Sequence, residues 1–235
     1  MSLLSGIGVE MLLRWVHFLA GITWIGLLYY FNFVQGPFMA EADATTKSNA
    51  TQKLVPRALW WFRWSAMLTF LSGAAYIAHR IGAGNWNSSY GATILGGAAL
   101  GTLMFLNVWL VIWPKQKIVI ASAVAAAGGG QADPQAAGAG RRAFLASRTN
   151  VVFSFPMLFF MGSANHFPLS TAGSMALYAA VLGVSTLLLE LNALIGTTGP
   201  AKKPLETVSS VIWTGFIFWA VLYLMVSFVT RGGTA

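Results

Sequence analysis

The sequence predicts an all-α, polytopic integral membrane helix bundle of about six transmembrane helices. Three observations predict it. Hydrophobic residues make up 57% of the chain and charged residues only 9%, against roughly 25% charged in soluble domains, so lipid is the expected solvent. Apolar stretches recur at the length a helix needs to cross hydrocarbon, about 20 residues. Lysine and arginine gather in alternate connections between those stretches, where topology signals sit.

The six expected spans are Met11–Val34, Ala58–Ile81, Tyr90–Trp113, Val151–Phe167, Thr171–Ile195 and Thr207–Thr230. The fourth is short and is expected to begin nearer Phe144, with Arg148 and Asn150 in its first turns. Residues 1–235 read as a single membrane domain. The connection from Gln35 to Arg57 is polar. The one from Pro114 to Arg142 contains AVAAAGGGQADPQAAGAG and reads as a flexible Gly/Ala-rich cytoplasmic linker over 114–142. Gly97 and Gly101 in GGAALG form a small-xxx-small pattern that marks close helix packing.

The first apolar stretch is too long for a signal-peptide core and reads as a retained helix. The absence of cysteine excludes disulfides, thiolate metal sites, iron–sulfur clusters and covalent c-type haem attachment. The net charge of +8 does not point to nucleic acid, because the basic residues lie in loops and form no contiguous face. Placing connections one, three and five in the cytoplasm leaves both termini facing the periplasm or cell exterior. Arg80 and Arg231 are single charges against that bias.

Ionisable residues inside spans are costly and are functional candidates by default. His17 lies roughly 9–10 Å from the outer end of the first span. His79 and His166 end the second and fourth spans on the same side. Glu10, Arg14, His17, Gly21, Trp24 and Leu28 recur every three or four residues and share one helix stripe. Gly162 stands one turn before His166, beside Asn165. Histidines with a glycine one turn away leave room for a flat macrocycle, so His17 and His166 are candidate axial ligands of haem b. Arg14 is then a candidate partner for a propionate. The plainer alternatives are a carbonyl hydrogen bond or a headgroup location for each histidine, or a zinc or copper site using His79 as well.

A second polar cluster is expected toward the cytoplasm: Arg63, Glu190, Asn107 and Asn32. An Arg63–Glu190 ion pair would offset the desolvation of both charges. Glu190 is alternatively a proton-relay carboxylate. Trp60, Trp61 and Trp64 read as an interfacial aromatic belt.

The motifs RWVHFLAGITWIGLLYYFNFVQ, LVPRALWWFRW, NVWLVIWPKQ and FPMLFFMGSANHFP together resemble the membrane domain of PuuD-type urate hydroxylases, the urate oxidase N-terminal domain family. The likeness runs from about Leu12 to Pro168 and more loosely beyond. The first motif is also distantly similar to the opening helix of the HemJ-type haem membrane proteins. The resemblance carries over His17, Arg14 and Trp24 from the first motif and Arg57, Trp60, Trp61 and Arg63 from the second. Asn107 and Trp109 come from the third, and Asn165 and His166 from the fourth. It implies a b-type haem and electron transfer from urate oxidation to a cytochrome domain. The chain ends at Ala235 with no such domain, so a separate cytochrome c or other acceptor is the expected partner. The competing expectation is a non-catalytic accessory subunit of a larger energy-converting membrane complex. A transporter ranks last, because no pair of broken helices marks a midplane site.

Overall fold

The structure is a computed structural model and describes residues 2–231. Six long helices account for most of it, with no strand among the described residues. Helix α1 runs over Gly6–Glu41. Helix α2 covers residues 44–82, built from Ala44–Asn49, a π-helical turn Ala50–Leu54 and Val55–Gly82. Helix α3 is Ser88–Ala127, α4 Ala136–Ser163, α5 Met175–Leu194 and α6 Val208–Arg231. A short 3₁₀ turn, Pro200–Leu205, precedes α6.

The helix starts are written locally. Ser5, Asp43, Asn87 and Ser174 each accept a hydrogen bond from a first-turn N–H. Thr207 and Ser210 cap α6 reciprocally: each hydroxyl accepts from the other's backbone N–H. The stops are as local. Gly84, Gly129 and Gly196 take positive φ two residues beyond the ends of α2, α3 and α5. Arg142 Nη1 then donates to the last carbonyls around the end of α5, those of Ala193, Leu194 and Gly196, at 3.1, 2.7 and 2.8 Å.

Three π-helical segments, Tyr30–Gln35, Ala50–Leu54 and Asn107–Ile112, lie inside otherwise continuous helices. Each ends two residues before a proline: Pro37, Pro56 and Pro114. The bonds closing them reach five residues back, from Gly36 to Phe31, Val55 to Ala50 and Trp113 to Val108. A proline ring collides with the carbonyl four residues before it and offers no N–H. Widening the preceding turn relieves both problems without breaking the helix.

This device corrects the expected loops. The stretch from Gln35 to Arg57 is almost wholly helical, because its prolines are absorbed by π turns. The expected linker over 114–142 shrinks to residues 128–135, since alanine is the best helix former and carries α3 to Ala127 and starts α4 at Ala136. The fourth span therefore begins earlier than expected and ends at Ser163, so Arg148 and Asn150 are mid-helix.

Five helices, α1, α3, α4, α5 and α6, are long and apolar enough to cross a membrane, and the chain is a multi-pass membrane protein. Helix α2, expected as the second of six spans, carries Arg57, Arg63, His79 and Arg80 and is not among the five. It nevertheless lies antiparallel along α1. His17 meets Thr69, Tyr76 meets Glu10, and His79 meets Gly6, while Phe31 and Phe62 pack edge-on. The two helices stay in contact over most of the length of α1.

Helix α4 is the hub. Of its most apolar stretch 67% is buried, against 22–28% for α1, α5 and α6, although its mean hydropathy of 1.3 is the lowest of the five. Protein rather than lipid surrounds it, which is why it tolerates Arg148, Thr149, Asn150 and Ser154, all buried. The outer helices show the reverse face: Leu12, Ile22, Leu188, Ile217 and Phe228 are exposed, as lipid contact requires.

Candidate functional site

The stripe read on the first span is a real face, and α2 is what it faces. Glu10 Oε1 accepts from the Tyr76 hydroxyl at 3.3 Å and lies 3.9 Å from Arg80 Nη1. Arg14 stands over the Tyr76 ring at 5.9 Å. His17 Nδ1 is 2.9 Å from the Thr69 carbonyl oxygen and 3.5 Å from Ser72 Oγ. Gly21 faces the Thr69 methyl group, and Trp24 is buried with its indole N–H unpartnered.

A carbonyl only accepts, so Nδ1 of His17 carries the proton and donates. The neutral ring then keeps its lone pair on Nε2. Gly73 makes this possible: a Cβ there would stand 2.9 Å from the imidazole Cε1. His79 Nε2 donates likewise to the Gly6 carbonyl at 3.0 Å, at the chain-terminal end of the bundle.

His166 is placed differently from expectation. It sits in an exposed turn beyond the end of α4, its backbone N–H on the Ser163 carbonyl at 3.0 Å. Asn165 and Gly162 are exposed beside it. No hydrogen bond or packed ring joins His166 to His17. Among the described residues no three His, Asp or Glu side chains converge on a metal position, so the three histidines form no common site.

These residues can be weighed against a b-type haem. The His17 ring fits a ligating imidazole, with one nitrogen anchored on a backbone carbonyl and the other free. A cradle made by His17 and His166 together does not fit, because Gly21 is occupied by Thr69 and His166 stands outside the bundle.

The second cluster forms on different partners from those expected. Asn107, in the π segment of α3, donates from Nδ2 to Asn150 Oδ1 and to Glu190 Oε2, both at 2.9 Å. Asn150 Nδ2 donates in turn to the Met104 carbonyl at 3.0 Å. All three side chains are buried. Asn32, in the π segment of α1, donates to the Leu28 carbonyl and to Ser147 Oγ, each at 2.8 Å. The neighbouring Tyr29 and Ser154 hydroxyls are 2.8 Å apart. Both π segments thus turn an asparagine onto α4.

Arg63 does not pair with Glu190. Its guanidinium lies 3.9 Å from the Trp113 ring centroid, and its Nε is buried without a partner. Helix α2 packs on α1 and α3, whereas α5 packs on α4, α6 and α3, which keeps the two charges apart. Thr69, Gly73 and Ser147 were not singled out from the sequence, and Asn150 was placed in the first turns of the fourth span without a partner. The available signals were the Thr69–Gly73 spacing on one face of α2 and an asparagine at the centre of an apolar stretch.

The family model described as urate oxidase N-terminal matches residues 75–226, about two thirds of the chain. The chain belongs to that family. No curated protein and no solved structure matches it. The matched region of this urate oxidase N-terminal chain includes Asn107, Asn150, His166 and Glu190, while His17 and Arg63 precede it.

Proposed function

We propose that this urate oxidase N-terminal family member works in the bacterial inner membrane as a redox protein linked to urate oxidation, carrying one haem b on His17. The observation that carries this reading is the His17 hydrogen bond to the Thr69 carbonyl, which engages Nδ1 as a donor and would leave Nε2 available to a metal. A haem held there would supply one-electron transfer. The chain's own residues do the positioning. Thr69 holds the imidazole, Gly73 gives it room, and Arg14, one turn nearer the helix start, offers a cation to an anionic group at the interface. The positive-inside rule assigns the Lys/Arg-rich helix ends to the cytoplasm, and on that assignment an electron acceptor such as a cytochrome c would dock on the periplasmic side.

A reduced-minus-oxidised absorbance spectrum of the purified protein tests the reading. The wild type is expected to show a b-type α-band that urate can reduce. His17→Ala is expected to lose the band, and His166→Ala to keep it. A wild-type protein with neither band nor iron overturns the haem assignment. A band that urate leaves oxidised overturns the substrate assignment alone.

A further inference from the structure

We propose that Arg63, Lys117 and Trp113 form a binding site for the headgroup of an anionic phospholipid at the basic end of the bundle. Two cations lean on one indole: the Arg63 guanidinium carbon is 3.9 Å from the Trp113 centroid and Lys117 Nζ is 5.7 Å from it. Like charges sharing one ring repel, and no carboxylate among the described residues forms an ion pair with either of them. Among the described residues the ion pairs are Arg80–Glu10 and Arg141–Glu206. Glu190 accepts from Asn107, and Asp43 and Asp133 bind their own loops. Among the described residues Arg63 donates no hydrogen bond, and its buried Nε–H has no partner. A partly buried guanidinium with unused donors and no counter-charge costs free energy until an anion meets it.

The surroundings identify the anion as a lipid's. Trp60, Trp61 and Trp64 are 47%, 60% and 44% exposed, and Leu68 and Leu71, further into the slab, are 49% and 54% exposed. Residues 61, 64, 68 and 71 follow each other at three- and four-residue steps, which is one helix face. An aromatic collar at headgroup level above an apolar track suits a phosphate held by Arg63 and Lys117 with acyl chains along α2. A soluble anion would use the two cations and have no use for the track.

The test uses delipidated full-length protein in mild detergent, titrated with short-chain phosphatidylglycerol, with matched phosphatidylcholine and with inorganic phosphate. Melting temperature is the readout, since a ligand of the folded state raises it. Phosphatidylglycerol is expected to raise it saturably and phosphatidylcholine to leave it unchanged. Arg63→Gln and Lys117→Gln should each weaken the binding about fivefold, and Arg231→Gln at the far end should not. Lys117 is exposed, so its variant reads the site even if Arg63→Gln fails to fold. Equal binding by the variants, or an equal response to phosphatidylcholine, overturns the proposal. Phosphate that competes at the same site reassigns it to a soluble anion and overturns it too. None of these outcomes depends on haem or urate.

Discussion

Asn107 Nδ2 donates both its hydrogens, one to Glu190 Oε2 and one to Asn150 Oδ1, each at 2.9 Å. One amide thereby joins α3, α4 and α5 inside the bundle. Removing it strands two buried acceptors, and each unsatisfied buried group costs about 1–3 kcal/mol.

Asn107→Ala is therefore expected to lower the thermal midpoint in detergent by at least about 4 °C, from two stranded groups at about 1–3 kcal/mol each and about 2–4 °C per kcal/mol for a chain of this size. Glu190→Gln keeps an oxygen facing Asn107 and should cost less. An Asn107→Ala protein that melts with the wild type would show that the amide holds nothing together.

The position of Asn107 also shows what the sequence could and could not say. Its depth in an apolar span marked it as a candidate. Its partner was not legible, because the π turn before Pro114 changes which way the helix face points, and a 3.6-residue period does not record such a turn. The stripe on α1 was legible from spacing alone. Which helix it faced was not, because α1 shows the same pattern whatever packs on it. Arg63 and Glu190 looked like a pair because both were single charges at similar depth. Helix order around the bundle, which hydropathy does not encode, separates them.

Gly73 is the counterpart of His17. A Cβ at Gly73 would stand 2.9 Å from Cε1 and 3.0 Å from Nδ1 of the imidazole, so Gly73→Ala must push the ring off the Thr69 carbonyl. The expected cost is about 1–3 kcal/mol, read as a lower melting temperature. Gly183, in α5, has nothing within 4 Å of its built Cβ. Gly183→Ala should instead gain up to about 1 kcal/mol from helix propensity. Equal effects at the two positions would contradict the ring's placement.

Gly97 in GGAALG behaves as the small-xxx-small reading requires. A Cβ there would meet Met161 Cγ at 3.1 Å and the Met157 carbonyl oxygen at 3.3 Å, while one at Gly101 would stop 3.9 Å from Met157 Cγ. Backbone cannot move aside as a flexible side chain can. Gly97→Ala is expected to part α3 from α4 and lower the melting temperature, and Gly101→Ala to be tolerated. The reverse order of the two melts would place the close contact at the wrong glycine.

Glu206 lies outside the spans, just before α6, and makes a bidentate pair with Arg141 from the start of α4. The Arg141 hydrogen bonds hold its carboxyl below the ordinary glutamate value, against a smaller opposing effect of burial. A carboxyl depressed on folding contributes stability that is fully present above its unfolded value, about 4.3. That contribution disappears as pH falls through the lower folded value. The Glu206 side chain is 40% exposed, so screening limits the pair to at most about 1 kcal/mol. Melting Glu206→Gln beside the wild type at pH 7 and at successively lower pH is the measurement. The variant is expected to melt slightly lower at pH 7, and the gap should close below about pH 4. A gap that persists at low pH would mean that Glu206 acts by packing and not by its charge.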